Sequence, residues 1–237
     1  MGAYIMSKLS CSHLLSIENL SHDDVMLLMG YAAFLENKLE QSPTLDLLSG
    51  KQLSTLFFES STRTRLSFES AMYRLGGHVM SVDGSFSSVV KGETLEDMGA
   101  IMSGYSDIVV MRHSEEGSVA RFATHSSIPV INAGDGVNQH PTQALLDLYT
   151  ILSEKESLSG LTIGFLGDMK HARTIKSLLP LLQHYNINFV FISHPDLQIT
   201  TDMRESLSLF KGNFIESDNL LEVLPDLDVL YATRYKK

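Results

Sequence analysis

Short apolar segments of strand length repeatedly give way, through a polar corner, to segments of helical spacing, and this alternation narrows the fold more than any single residue does. Leu56-Phe57-Phe58 leads into Ser61-Thr62-Arg63-Thr64-Arg65 and then into a helix-type run. In that run Phe68, Met72 and Leu75 fall at i, i+4 and i+7, Ala71 lies on the same side, and Gly76-Gly77 supplies a stop. Strand signals recur at residues 78–82, Asp107 to Met111 and Ile128 to Ile131, with helices expected over Thr94 to Ser103, Ser118 to Ser126 and Pro141 to about Ser153. A leading helical region is expected over about 15–48, with Ser21 as its cap and Asp23-Asp24 in its first turn. Charged and polar residues collect just past the strand ends. That pattern predicts an α/β fold with a parallel sheet and a site along its carboxyl edge.

A second unit begins at Leu161-Thr162-Ile163-Gly164-Phe165-Leu166-Gly167-Asp168, with a helix carrying Ala172, Ile175, Leu178, Leu179 and Leu182 and strands at Asn188 to Ile192 and Asp228 to Tyr231. At 237 residues the chain suits two domains of about 100 residues each. The expected division is 1–150 and 151–237, each domain a parallel sheet flanked by helices. Gly164 and Gly167 do not form the Gly-x-Gly-x-x-Gly fingerprint of a dinucleotide site.

Composition excludes several function classes. Hydrophobic residues make up 43% of the chain, which fits a folded protein, yet no apolar run approaches the ~20 residues that span a bilayer. A formal charge of −10 repels nucleic acid and anionic membranes, so scattered arginines read as local anion grips. One cysteine, Cys11, forbids an internal disulfide and fits a reducing compartment, so a cytoplasmic address is expected. The nine histidines show no metal-binding spacing, and neither a metal nor a cofactor is expected. The start has no basic segment followed by a long apolar core, so no secretory signal is expected, and Met6 reads as the native start.

Two corners carry chemistry. Ser61 to Arg65 sits where a strand turns into a helix, which offers free backbone N–H groups, a positive dipole end and guanidinium groups able to hold two phosphate oxygens. An ordinary helix cap flanked by salt-bridged arginines is the plainer reading. The second corner, Asn132 to Gln143, puts His140 before Pro141 at a helix entrance, with Gln143 close behind. His140 alone could be a cap or a surface group.

Taken together, Phe57-Phe58-Glu59 before Ser61-Thr62-Arg63-Thr64-Arg65, then Lys91-Gly92-Glu93-Thr94, Val110-Met111-Arg112-His113 and His140-Pro141-Thr142-Gln143 with Leu145-Leu146-Asp147-Leu148, resemble the transcarbamoylase family. The resemblance runs from about Leu20 to Arg234. Thr142 after His-Pro and the Leu-Leu-Asp-Leu run resemble its aspartate branch rather than its ornithine branch. The resemblance implies transfer of a carbamoyl group from carbamoyl phosphate to the amine of L-aspartate, a step of pyrimidine biosynthesis, with no metal or covalent enzyme intermediate. It implies that Ser61, Thr62, Arg63, Thr64 and Arg112 bind the phosphate. Thr64, Arg112 and His140 would direct donors at the carbonyl oxygen, and Gln143 would contact the carbamoyl amino group. Arg63, Thr64, Arg112 and His140 are thus the expected catalytic residues.

By the same resemblance, Arg173, Arg234 and Lys91 bind aspartate, and Ser87 and Lys91 reach a neighbouring subunit's site, implying a homotrimer with shared sites. Surface salt bridges are the plainer reading for Arg173 and Arg234, and a bridge from Arg173 to Glu59 is another. A loop Lys is more often simply solvated. Closure over the dicarboxylate would complete the site.

The sequence departs from the family at Val90, where relatives carry another Lys, and at Lys236, where they tend to have Gln. Family chains also continue beyond this end into a His-Pro-Leu-Pro segment and final helices, so the second domain is expected to be incomplete. A transcarbamoylase for another amino acid, such as ornithine, and a non-catalytic phosphate-binding assembly subunit are the alternatives. The sequence is silent on a regulatory subunit.

Overall fold

The structure is a computed structural model that describes residues 8–83, 92–155 and 157–234. It divides into two compact units, residues 1–142 and 143–237, each built on a four-stranded parallel sheet. The expected architecture is present in both.

In the first unit, helix α1 (His22–Gln41) precedes β1 (Gln52–Phe57), α2 (Thr62–Arg74), β2 (His78–Asp83), α3 (Leu95–Met102), β3 (Ile108–His113), α4 (Ser118–Ala123), β4 (Val130–Asp135) and the start of α5 (Pro141–Glu154). The strand order is β2-β1-β3-β4, with every pairing parallel. Alternation along the strands separates two cores. Leu56, Val109 and Met111 pack with Leu95, Met98, Val119 and Phe122 on one face, while Leu53, Phe57 and Val110 pack with Met72 and Ala133 on the other. Burying a side chain such as Phe122 contributes about 1.5–3 kcal/mol. With both faces covered, β3 reads as an uninterrupted apolar run.

The ends of α1 and α3 are explained by their caps. Ser21 accepts from the Asp24 N–H while the Asp24 carboxylate accepts from the Ser21 N–H, a reciprocal cap. Thr94 accepts from the Asp97 N–H at the start of α3.

Three expectations about boundaries need correction. The segment Thr62 to Arg65 is the first turn of α2 rather than a loop before it. Ala71 faces solvent, so the buried stripe of α2 narrows to Met72 with half-buried Phe68 and Leu75 beside it. Residues Asn132 to Asp135 continue β4 rather than opening a loop.

The second unit contains the rest of α5, then β5 (Thr162–Leu166), α6 (Arg173–Leu182), β6 (Asn188–Ile192), α7 (Thr201–Leu207), β7 (Phe214–Ser217), α8 (Leu220–Val223) and β8 (Val229–Ala232). The order is β7-β6-β5-β8, again parallel. Register places Phe165 between Phe191 and Tyr231, and the rings meet there, stacked at 5.5 Å with Phe191 and tilted at 5.6 Å with Tyr231. No helix among the described residues is long and apolar enough to cross a membrane.

Candidate functional site

In a parallel sheet every strand delivers its C-terminal end to the same edge, and neighbouring strands lie about 4.8 Å apart. Because β1, β3 and β4 are consecutive in the order, the residues leaving them share that edge within about 10 Å across three strands. Ser61 to Arg65 follow β1, Arg112 is the penultimate residue of β3 and His140 follows β4. The first unit therefore gathers Ser61, Thr62, Arg63, Thr64, Arg112 and His140 along one edge.

The first turn of α2 is open to an anion. Ser61 is the N-cap in extended geometry, yet its side chain makes no capping bond. Its Oγ instead donates to Thr64 Oγ1 at 2.9 Å. The leading N–H groups of the helix thus lack a side-chain acceptor, and they carry the positive end of the helix dipole. Arg63 is exposed and enters no ion pair among the described residues. Arg65 is held differently, 3.6 Å from Glu69, whose carboxylate also accepts from Thr55 at 3.1 Å.

Arg112 is buried at 6% exposure, which is unusual for a cation and demands partners. Its Nη1 donates to the Ala133 carbonyl at 3.0 Å, and its Nη2 lies 3.0 Å from Glu59 Oε2. A register shift between Met111 and His113 makes the first contact possible, since β4 bulges opposite Arg112. Nε of Arg112 is buried without a hydrogen bond among the described residues. A buried guanidinium with a donor in reserve is suited to an anionic oxygen.

Sequence reasoning missed the residue that holds the loop into His140. Asp135, only 2% exposed, accepts at Oδ1 from Asn132 Nδ2 (2.9 Å) and the Gln139 N–H (3.1 Å), and at Oδ2 from Asn138 Nδ2 (3.1 Å) and the Gly117 N–H (3.1 Å). Four donors on one carboxylate fix the path from β4 to α5. His140 is buried at the mouth of α5, and Gln143 follows in its first turn. The one available signal was an Asp inside Gly134-Asp135-Gly136, which reads equally as turn chemistry.

In the second unit, Arg173 opens α6 after β5, and Arg234 lies two residues beyond β8. Adjacency of β5 and β8 brings these two exits to one edge. The Thr233 N–H donates to the Leu166 carbonyl at 2.8 Å, and Gly167 has φ +134°, so the exits run against each other. Arg234 is exposed and enters no ion pair among the described residues. Asp168, nearly buried, accepts from the His171 N–H at 3.1 Å and holds its imidazole at 3.0 Å.

A polar chain in this unit was also not foreseen. Gln143 Nε2 donates to Asp147 Oδ1 at 2.8 Å, and Tyr231 Oη donates to Asp147 Oδ2 at 2.9 Å. Burial pushes the Asp147 carboxyl above the ordinary range, partly offset by the two hydrogen bonds. Burial also pushes the Tyr231 phenol up, against a hydrogen bond from Thr174.

Ser87 and Lys91, together with Val90 and Lys236, lie outside the described residues. Among the described residues no group of three or more His, Cys, Asp or Glu side chains could hold a metal ion.

The chain is similar to several known proteins. Residues 12–153 match the family model described as aspartate/ornithine carbamoyltransferase, carbamoyl-P binding domain. The aspartate carbamoyltransferase catalytic subunit of Methanocaldococcus jannaschii is 44% identical over 227 residues, covering 95% of this chain and 74% of that protein. A crystal structure of the M. jannaschii aspartate transcarbamoylase catalytic subunit superposes with a TM-score of 0.91 at 44% identity, covering 96% of this chain and 75% of the other. The aspartate transcarbamoylase of Trypanosoma cruzi, in complex with carbamoyl phosphate and aspartate, gives a TM-score of 0.88 at 37% identity, covering 96% of this chain and 78% of the other. On the strength of a family match over more than half its residues and close relatives along nearly all of them, the chain belongs to the aspartate/ornithine carbamoyltransferase family.

Proposed function

We propose that this chain is the catalytic subunit of an aspartate carbamoyltransferase, joining the carbamoyl group of carbamoyl phosphate to the amine of L-aspartate and releasing phosphate. The observation that carries the reading is the shared edge of β1, β3 and β4, where an uncapped helix start, a buried guanidinium and a buried imidazole come from neighbouring strands. The relatives' names and the ligands of the T. cruzi structure support the substrates.

In this reading Ser61, Thr62, Arg63, Thr64 and Arg112 take the phosphate dianion. As the amine nitrogen bonds to the carbonyl carbon, negative charge builds on the carbonyl oxygen, and Thr64, Arg112 and His140 direct donors to it. Cleavage of the bond to the phosphate oxygen then returns the carbonyl, and the departing phosphate is a competent acceptor for the amine proton. His140 acts as a neutral donor. Gln143 meets the carbamoyl amino group, and Arg173 and Arg234 take the aspartate carboxylates by bidentate pairing. Lys91, with Ser87, is assigned to the neighbouring subunit's site, which makes the working form a homotrimer. A cytoplasmic location fits the single cysteine.

The test is an assay of carbamoyl aspartate formation, with ornithine as a parallel acceptor. Arg63→Ala and His140→Ala are each expected to slow turnover by about a hundredfold or more, the scale of removing one preorganised donor to charge on the phosphate or on the carbonyl oxygen. Turnover at the parent rate in either variant, or a preference for ornithine, would overturn the assignment.

A further inference from the structure

Gln143 has a primary amide whose two ends are chemically opposite, one donating and one accepting, and its value in a site depends on which end faces the ligand. The structure determines this from behind. Asp147, one turn later on α5, lies 2.8 Å from Gln143 Nε2, and only the donating end of the amide is compatible with a carboxylate oxygen at that distance. Turning the amide over would set two acceptors against each other. Oε1 of Gln143 is left without a hydrogen bond among the described residues, and it is the end that can receive an N–H.

Asp147 is itself held. Its second oxygen accepts from the Tyr231 hydroxyl at 2.9 Å, and the Tyr231 ring is fixed against Phe165, its register partner on β5. A carboxylate with one donor on each oxygen acts as a double acceptor and has no reason to rotate. Tyr231 on β8 and Gln143 in the first turn of α5 therefore both donate to Asp147, which links the two elements.

We propose that Asp147, braced by Tyr231, is a positioning residue that locks the Gln143 amide with Oε1 outward, so that the site reads the N–H donors of the carbamoyl group rather than the phosphate alone. This rests on the function proposed above and adds how the enzyme tells carbamoyl phosphate from inorganic phosphate. Phosphate offers the same anionic oxygens but no amino group. The discrimination belongs to Gln143, and its direction to Asp147.

The test measures binding of carbamoyl phosphate and of inorganic phosphate by calorimetry on the full chain, wild type against Asp147→Asn. An asparagine of the same shape can bond to either end of the Gln143 amide, so orientation is no longer imposed. Carbamoyl phosphate affinity is expected to fall about tenfold, the scale of one hydrogen bond in a site, while phosphate affinity stays within about twofold. Gln143→Leu should produce the same selective loss, and the double variant no further loss, since the two residues act as one unit. Should Asp147→Asn fold poorly, Tyr231→Phe removes only the bracing hydroxyl and should show a smaller loss of the same selectivity. Equal weakening of both ligands, or unchanged selectivity in a folded variant, would overturn the positioning role. A wild-type chain that binds phosphate but prefers it to carbamoyl phosphate would overturn the functional reading first.

Discussion

At the scale of single residues, the site depends on buried charges that are satisfied from several directions. Asp135 shows what this requires, because its two oxygens serve four donors. Asp135→Asn keeps the shape but turns one acceptor into a donor, which then faces N–H groups. The expected cost is about 1–3 kcal/mol of unfolding free energy, measured by urea denaturation, and a drop in turnover because the same carboxylate fixes the chain into His140. Stability unchanged from the parent would show that the loop is held by other contacts. The strand-to-helix positions of Arg63 and His140 were legible in the sequence, whereas Arg112 entered only through the family resemblance. Asp135 was not legible, since a lone acid between glycines has the same appearance whether it caps a turn or collects donors from three segments. Glu59 was read as a possible partner of Arg173, and the structure pairs it with Arg112 on the neighbouring strand.

At the scale of elements, strand-to-helix alternation located most of the units and missed β7, α7 and α8. β7 reads Phe-Ile-Glu-Ser, with two apolar residues where the equally short β8 has Val-Leu-Tyr-Ala, and α8 spans a single turn, too short for a period to emerge. The boundaries of α2 and β4 were misplaced because polar residues that look like loop are the first turn of one and the bulged end of the other. Two element-level outcomes follow from geometry. Gly167 adopts φ +134°, and a Cβ built there would stand 2.8 Å from the Thr233 carbonyl oxygen. Gly167→Ala is expected to cost about 1–3 kcal/mol and, by displacing Thr233 and Arg234, to raise the KM for aspartate more than that for carbamoyl phosphate. Steady-state kinetics with each substrate varied separately would check it. The second outcome concerns the cap of α1. Hydrogen bonds from Ser10, then Ser21, hold the Asp24 carboxyl well below the usual carboxylate range. A carboxyl whose folded pKa is lowered supplies stability that is complete above the unfolded pKa of about 3.9 and drains away as pH falls toward the folded value. The gap in melting temperature between the parent and Asp24→Asn should therefore be widest near neutrality and close progressively below about pH 4. A gap that persisted unchanged into acid would assign the stabilisation to shape rather than charge.

At the scale of the whole molecule, a formal charge of −10 works against exposed apolar surface. Among the described residues the second unit's sheet ends on two four-residue strands, β7 at one edge and β8 at the other, each hydrogen-bonded to one neighbour. Ile215 on β7 is 55% exposed and Leu221 on α8 is 79% exposed. Open strand edges with apolar side chains favour chain-to-chain pairing, and charge of one sign is the usual restraint on it. That restraint is a function of pH, whereas the apolar surface is not. As pH approaches the isoelectric value near 5.3, repulsion disappears and the edges are left to associate. Light scattering at constant protein concentration should rise as pH is lowered from neutrality toward that value, and added salt should have the same direction of effect at neutral pH by screening the charge. Ile215→Thr combined with Leu221→Gln leaves the net charge untouched, so the variant separates the two forces. If the apolar edge drives association, scattering at the isoelectric pH falls in the variant while its pH profile keeps the same position. If scattering is as strong as in the parent, loss of charge alone accounts for it and these side chains have no part in it.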